Sequence, residues 1–547
     1  MEIIKHRNAD NGLQSGRFWT PAAAVAASLL AALGALASPA GHAADDPTIS
    51  ALQQQLQSLQ RQIDALKAQQ QAAAAAAPPL PASAPAETAS GGAMPMNAGS
   101  TKAGTAPTFN AGPTTITLGG FVESMVVNRS RNEAADWASN YNGSIPFRQS
   151  HNYDLSEFHI TERQSRVSAL VQGAPDPEHA LEGYLEMDFG GTTASNYNQS
   201  GSFAPRVRHF YADYNDKNYG YSLLFGQTWS LLVAEKTGLV PRQENIPLTI
   251  DGQYVPGFDW IRVPQIRVVE KFNDALSAGF SFENPAAQVS SSTSGGAPAI
   301  ATFFNTAGAS SAFVTGTNVT TDYLPDIIAK VAVDPGYGHY EAFGLSRWFR
   351  SRYTATGLQT NEVHEGGGVG GSFLLPIVPK LVDLNGSFIY GKGVGRYGSS
   401  GLPDVTVNPF NGSLEPIKGY HALVGLIVRP SPAWTFFAYG GTERDDQTDF
   451  FTTSGTHTYG YGYGNPLFDN TGCQIEGSSA ACTANTSQIT SETLGGWWKF
   501  YRGSLGNAQF GTTWTYVRRN TFSGLGGDPS TNINVILASF RYYPFQN

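Results

Sequence analysis

The side chains best placed to do chemistry are arginines. Arg206 and Arg208 are two residues apart, so on an extended strand they share a face. Arg267 likewise shares a face with Gln265, and Arg166 falls on the same parity as Gln164 and Ser168. A guanidinium stays charged at any working pH and meets a carboxylate through a planar fork. Rows of them suit the binding and release of anions rather than bond making. Arg242 lies with Glu235, Glu244, Asp251 and Asp259 in a polar stretch at about 234–262 that runs into Arg262. Arg166, Arg206, Arg208, Arg242, Arg262 and Arg267 are therefore the expected lining of an anion path. By parity, Glu123 and Glu162 are the acids expected to keep anion binding weak enough for release.

Catalytic patterns are weak by comparison. The run Gly366-Gly367-Gly368-Val369-Gly370-Gly371 formally contains GxGxxG, but it precedes a strand-like segment without the βαβ setting a nucleotide site needs. Close packing or bending of a strand is the better account of those glycines. There is no GxSxG elbow and no HExxH pair, and the ten histidines are scattered. The chain is expected to be no enzyme and to need no metal or cofactor. Its two cysteines, Cys473 and Cys482, lie in one Gly/Ser/Thr/Asn-rich stretch with no His at ligand spacing. They read as a disulfide pinning a surface loop.

The composition names the elements that must carry these residues. Charged residues make up 14% of the 547, against roughly 25% in a soluble globular domain. Aromatics make up 12%, with 61 Gly and 24 Tyr, which suits many half-buried strands joined by turns. The formal net charge of −9 gives no basic footprint for nucleic acid. It does not set the sign of a pore, because the few charges at a constriction dominate the field there.

Residues 1–43 carry scattered positive charges, an Ala/Leu-rich core at 25–33 and small residues at Gly41 and Ala43, the pattern of a cleaved export signal. No later apolar run reaches the roughly 20 residues of a membrane helix, so any membrane crossing must be made by strands. Within 44–70, Ile49, Leu52, Leu56, Leu59, Ile63 and Leu66 form a heptad seam of barely three repeats, predicting a short coiled-coil helix that needs an oligomer's support. Residues 71–113 are Ala/Pro-rich and read as a flexible linker.

From 114 to 547 the pattern predicts an all-β, transmembrane antiparallel β-barrel. Strand-like segments alternate between seven short turns, such as Asn273-Asp274 and Arg502-Gly503-Ser504-Leu505, and eight long polar loops. The long loops fall near 128–152, 190–204, 234–262, 285–323, 352–364, 392–417, 444–488 and 519–531. Short turns at one end and long loops at the other are a feature of transmembrane barrels, and this count gives about 16 strands. Val167, Ala169 and Val171 share one face, opposite Arg166, Ser168 and Gln172, so one side can meet lipid and the other water. Trp497-Trp498 with Phe500-Tyr501 fits an interfacial girdle, and the aromatic stretch 536–547 fits a closing strand, although Pro544 interrupts it.

The order of signal, Gln-rich coiled coil and Ala/Pro linker is followed by Gly119-Gly120-Phe121-Val122, Arg163-Gln164-Ser165-Arg166, Arg206-Val207-Arg208-His209-Phe210-Tyr211 and Leu224-Phe225-Gly226-Gln227-Thr228-Trp229-Ser230. This arrangement resembles the DcaP-like trimeric outer-membrane porins. The resemblance covers most of the chain, with its sharpest motifs between 119 and 270. It implies a homotrimer of sixteen-stranded barrels in the outer-membrane lipid of a Gram-negative bacterium, with coiled coils in the periplasm. It also implies passage of small anionic solutes such as dicarboxylates. Porin analogy places the constriction in the third long loop, near 234–262. The competing expectation is an adhesin or receptor whose long loops bind a partner while the barrel serves as a mount.

Overall fold

The computed structural model describes Arg61 and residues 106–545, apart from 136, 138–139, 192–202, 299–301, 304–317, 321 and 356–357. The expected signal segment, the coiled coil apart from Arg61, and most of the linker lie outside the described residues.

Sixteen antiparallel strands form one closed barrel. In chain order they are β1 (Thr114–Arg129), β2 (Glu157–Thr161, resuming as Arg166–Gly173), β3 (His179–Gly191), β4 (Ala204–Asp216), β5 (Tyr221–Trp229), β6 (Arg262–Asn273), β7 (Leu276–Glu283) and β8 (Asp326–Val333). There follow β9 (His339–Ala355), β10 (Leu358–Val378), β11 (Val382–Lys392), β12 (Lys418–Ser431), β13 (Trp434–Asp445), β14 (Thr486–Gly503), β15 (Gly506–Thr521) and β16 (Ser530–Tyr543). Each strand pairs with its sequence neighbours, and β16 returns to β1 from Val122↔Tyr542 to Arg129↔Val535. Closure leaves no ladder edge facing hydrocarbon, where an unpaired N–H or C=O has no water to bind.

The alternation within strands explains why this sheet curls around a polar lumen. Ile266 and Val268 of β6, Val424 and Leu426 of β12, and Ile536 and Phe540 of β16 are exposed on the outside. Their neighbours Gln265, Arg267, His421, Leu423, Leu537 and Ser539 are buried inside. Leaving one such large side chain in water forfeits about 1.5–3 kcal/mol. A belt of them around the whole wall calls for a lipid surrounding. At the short-turn end, Trp434 stacks on Trp498 with ring centres 5.7 Å apart, and Trp498 meets Phe500 at 5.4 Å.

The structure corrects the sequence reading at three places. All seven short turns occur as expected, but the long loop expected at 352–364 is a tall hairpin, with β9 and β10 paired up to Ala355↔Leu358. Thr108–Ala111, expected in the linker, is a strand paired with Thr114–Thr117. It lies below the level where β16 stops and covers the exposed edge of β1, which physically favours ordering it. Trp497, expected in the girdle, points inward, because only the even residues of β14 at that level face out.

The apolar core lies inside the barrel. Leu231, Leu232 and Leu239 of the loop after β5 pack against Val269, Ile328, Phe343, Leu345 and Ile389 of the wall and against Val394 and Tyr397 of the loop after β11. The two loops join through Trp260 N–H to Tyr397 O at 2.9 Å and Ser399 Oγ–H to Val255 O at 2.9 Å. Arg347 of β9, fully buried, fixes the loop after β11 by pairing with Asp404 at 2.6 Å, and it also meets Asp326 at 3.2 Å. The lumen beside β6 to β11 is therefore filled by packed side chains. The Gly-rich run of β10 makes room there: Gly366 faces the Phe349 ring and Gly370 the Phe343 ring, where a Cβ would overlap.

Candidate functional site

Three consecutive strands, β2 to β4, supply the basic wall of the remaining space. Asp188 on β3 accepts both nitrogens of an Arg206 fork, Nε at 2.9 Å and Nη2 at 2.6 Å. Arg208 on β4 reaches Glu186 at 2.6 Å and Asp188 at 3.0 Å. Arg166 meets the same Glu186 at 3.5 Å. The register explains its placement. Gly120 of β1 has φ +123°, and a Cβ there would overlap the Arg166 carbonyl. Glycine thus permits the close approach at which β2 breaks and resumes. Ser165 in the break accepts the Glu123 N–H at 2.9 Å.

Arg262, at the start of β6, lies 4.4 Å from the Trp229 ring centre and 5.2 Å from that of Trp260. Its guanidinium makes no ion pair or hydrogen bond among the described residues, and its Nη1 is buried. Three guanidiniums, those of Arg166, Arg206 and Arg208, thus share two carboxylates, Glu186 and Asp188, and Arg262 adds a fourth cation beside them. The two tryptophan faces hold the fourth cation through cation–π attraction.

The opposite wall is the loop after β5, which runs through the interior and is held on every side. Near its start, Leu231 N–H donates to Glu283 at 2.8 Å, and Lys330 Nζ donates to Val233 O at 2.8 Å while pairing with Glu341 at 2.9 Å. Arg242, with φ +70°, turns its side chain to Tyr211 Oη at 2.8 Å and Glu182 at 3.0 Å. Further along, Leu248 N–H donates to Tyr439 Oη at 3.0 Å, and Trp497 Nε1–H donates to Leu248 O at 2.7 Å. Ile250 N–H reaches Thr513 Oγ1 at 3.4 Å, and Arg541 donates to Ile250 O at 2.6 Å. Gly257, with φ +89°, passes so close to the Ala422 carbonyl that a Cβ would overlap it, and its N–H donates to Glu443 at 2.8 Å.

Between the walls lies a cavity of about 130 Å³, bounded by the first five strands, β12 to β16 and the loop. Arg166, Arg206, Arg208, Arg242, Arg429, Lys499 and Arg541 line it, against Glu186, Glu244 and Asp251. Glu244 and Asp251 belong to the loop, and burial holds both carboxyls above the ordinary carboxylate range. Asp251 is near enough to Arg206 and Arg208 for their charge to pull the other way.

Four of the six expected arginines, Arg166, Arg206, Arg208 and Arg242, therefore line one cavity. Arg262 stands behind Trp229 and Trp260, which do line it. Arg267 is fully buried, donating to Gln265 at 2.9 Å and to Trp229 O at 2.5 Å, because the loop covers that stretch of wall. Glu123 faces inward and pairs with Arg541 at 2.9 Å, whereas Glu162 is exposed at the break in β2, where the strand alternation lapses. Arg429, Lys499 and Arg541 escaped the sequence reading although parity marked them: each follows an inward residue, Ile427, Trp497 and Ser539 respectively, by two. The expected Cys473–Cys482 disulfide is formed. Its segment rests on the first long loop, with Gln149 N–H donating to Cys473 O at 3.0 Å.

No family model and no curated protein matches the chain. Among solved structures it is similar to the outer membrane channel DcaP of Acinetobacter baumannii, at 16% identity over 79% of this chain and 97% of that one, with a TM-score of 0.52. OmpT of Vibrio cholerae aligns at 11% identity over 80% and 100%, with a TM-score of 0.43. The anion-selective porin from Comamonas acidovorans aligns at 11% over 79% and 99%, with a TM-score of 0.41. The first of these establishes the fold: the chain has the porin-type barrel of the DcaP channel, as its sequence motifs suggested.

Proposed function

We propose that the chain is a porin of a Gram-negative outer membrane that passes small anionic organic solutes, dicarboxylates among them, by diffusion. The observation that carries this reading is the excess of four guanidiniums, those of Arg166, Arg206, Arg208 and Arg262, over the two carboxylates of Glu186 and Asp188 beside an open cavity. Excess guanidinium in a space of reduced dielectric lowers the energy of an entering anion. The partial pairing also matters, since arginines already engaged bind a passing carboxylate weakly enough to let it go. The loop after β5 supplies the facing acids Glu244 and Asp251 and acts as the constriction.

In this reading the chain works as a homotrimer, supported by the heptad seam at 49–66 and by the family resemblance, with its coiled coils in the periplasm. Crosslinking the intact protein should then give a trimer that is lost when 44–70 is removed or its seam made polar.

The deciding measurement is the reversal potential of the purified protein in a planar bilayer under a salt gradient. Anion preference that falls when Arg166, Arg206 and Arg208 are replaced together by Gln is the expected result. Cation preference in the unaltered protein would refute the proposal.

A further inference from the structure

On the outer wall, Tyr390 of β11 stands directly opposite Tyr420 of β12, and Phe388 meets the Tyr420 ring at 6.3 Å. Aromatic rings at this end of the belt mark the level where hydrocarbon gives way to headgroups. One register step nearer the long loops, Lys392 stands directly opposite Lys418. Arg444 projects from β13, opposite Tyr420. Lys392, Lys418 and Arg444 are all exposed and share the outward parity of Phe388, Val424 and Phe436. Like charges directly opposite one another across a ladder are destabilising. Two acids flank them: Asp446, half-exposed and 3.9 Å from Arg444, and exposed Glu365 of β10, two residues from Gly367, which pairs with Lys392.

The same strands are hollowed lower down. Val424, Leu426, Ala438, Gly440, Leu494 and Trp514 bound an outward groove of about 350 Å³. Gly440 lies four residues below Arg444 and Val424 six below Lys418, so the groove is about 13–20 Å beneath the cations at strand rise. Glu492 lies opposite Gly440 on the groove's rim and keeps an anionic head at the upper rung.

A cation cluster at headgroup level above an apolar groove fits one kind of molecule, an amphiphile with an anionic head and acyl tails. We infer that Lys392, Lys418 and Arg444 bind the phosphate of a phosphorylated glycolipid in the leaflet beside the long loops, with an acyl chain lying along the groove over Gly440. This site is on the opposite side of the wall from the lumen. It depends on placement in an outer membrane and not on what the channel passes.

The test uses the purified full-length protein, incubated in parallel with lipid A, phosphatidylcholine or inorganic phosphate. Phosphorus retained per barrel after gel filtration and the midpoint of heat unfolding are read for each. Lipid A should be retained and raise the midpoint. Lys392→Gln/Lys418→Gln/Arg444→Gln should lower retention at least tenfold. Gly440→Leu should lower it as well while folding normally, because a Cβ there meets only Val424 Cγ1, at 3.9 Å. Retention of lipid A by the triple variant at the parent's level would overturn the inference. So would equal protection by inorganic phosphate, which has no tail, or equal retention of phosphatidylcholine. Ion selectivity of the triple variant should match the parent's, and a change would refute the outward placement.

Discussion

Arg262 is held against Trp229, its guanidinium carbon 4.4 Å from the ring centre, with no carboxylate to neutralise it. Its charge is the least compensated in the arginine cluster, so it should weigh most on selectivity for the least structural cost. Arg262→Gln is expected to reduce anion over cation permeability by a few-fold and to destabilise the barrel by only about 0.5–2 kcal/mol, the range of a cation–π contact. Reversal potentials and heat-unfolding midpoints test both halves. Unchanged selectivity would remove Arg262 from the path.

Arg208→Gln should act differently. It leaves Glu186 and Asp188 with fewer partners in a buried setting, and stranding a buried charge costs about 3–5 kcal/mol. A smaller fall in anion preference than for Arg262→Gln, together with a clear loss of thermal stability, is expected from the same two measurements.

Selectivity should also depend on pH. Burial raises the carboxyls of Glu244 and Asp251, so as pH falls they become neutral before ordinary carboxylates do, while the arginines keep their charge. Anion preference should therefore rise from pH 7.5 to pH 5. The double variant Glu244→Gln/Asp251→Asn should be more anion-selective at pH 7.5 and show a flatter profile. A profile as steep as the parent's would assign the titration to other groups.

Gly257→Ala tests the inner loop as the constriction. The added methyl overlaps the Ala422 carbonyl at a φ that favours glycine, so the loop should leave its seat while the closed ladder persists. Single-channel conductance is expected to increase and grow noisier, with the strand signal in circular dichroism retained. Conductance equal to the parent's would place the narrow point elsewhere.

The Cys473–Cys482 bond closes a short segment on the first long loop. Replacing both cysteines by Ser should cost that segment about 2–4 kcal/mol of local stability, seen as faster protease nicking between 464 and 485. Conductance should not change, and a large change would tie this loop to the pore.

The strand number and the turn and loop ends were legible because alternation and turn residues are local signals. Arg206 and Arg208 were legible for the same reason, since two residues of one strand must share a face. Arg267 was not, because its burial depends on a loop more than 25 residues long folding back over it, and no local pattern records that. The hairpin at 352–364 was misread because its polar residues suit a tall strand standing above the membrane as well as they suit a loop. The inward fold of the loop after β11 rests on Arg347, Asp326 and Asp404, which are far apart in sequence and meet only in space.

The four hydrogen bonds that suspend Leu248 and Ile250 from the wall all end on main-chain atoms. Ile250 is buried in the core, whereas the half-buried side chains of Ile246 and Leu248 face the cavity without bearing the loop's weight, like tiles on a fixed batten. Exchanging them would alter the surface a solute meets and leave the suspension intact. Solute preference in this chain can therefore diverge without renegotiating the fold.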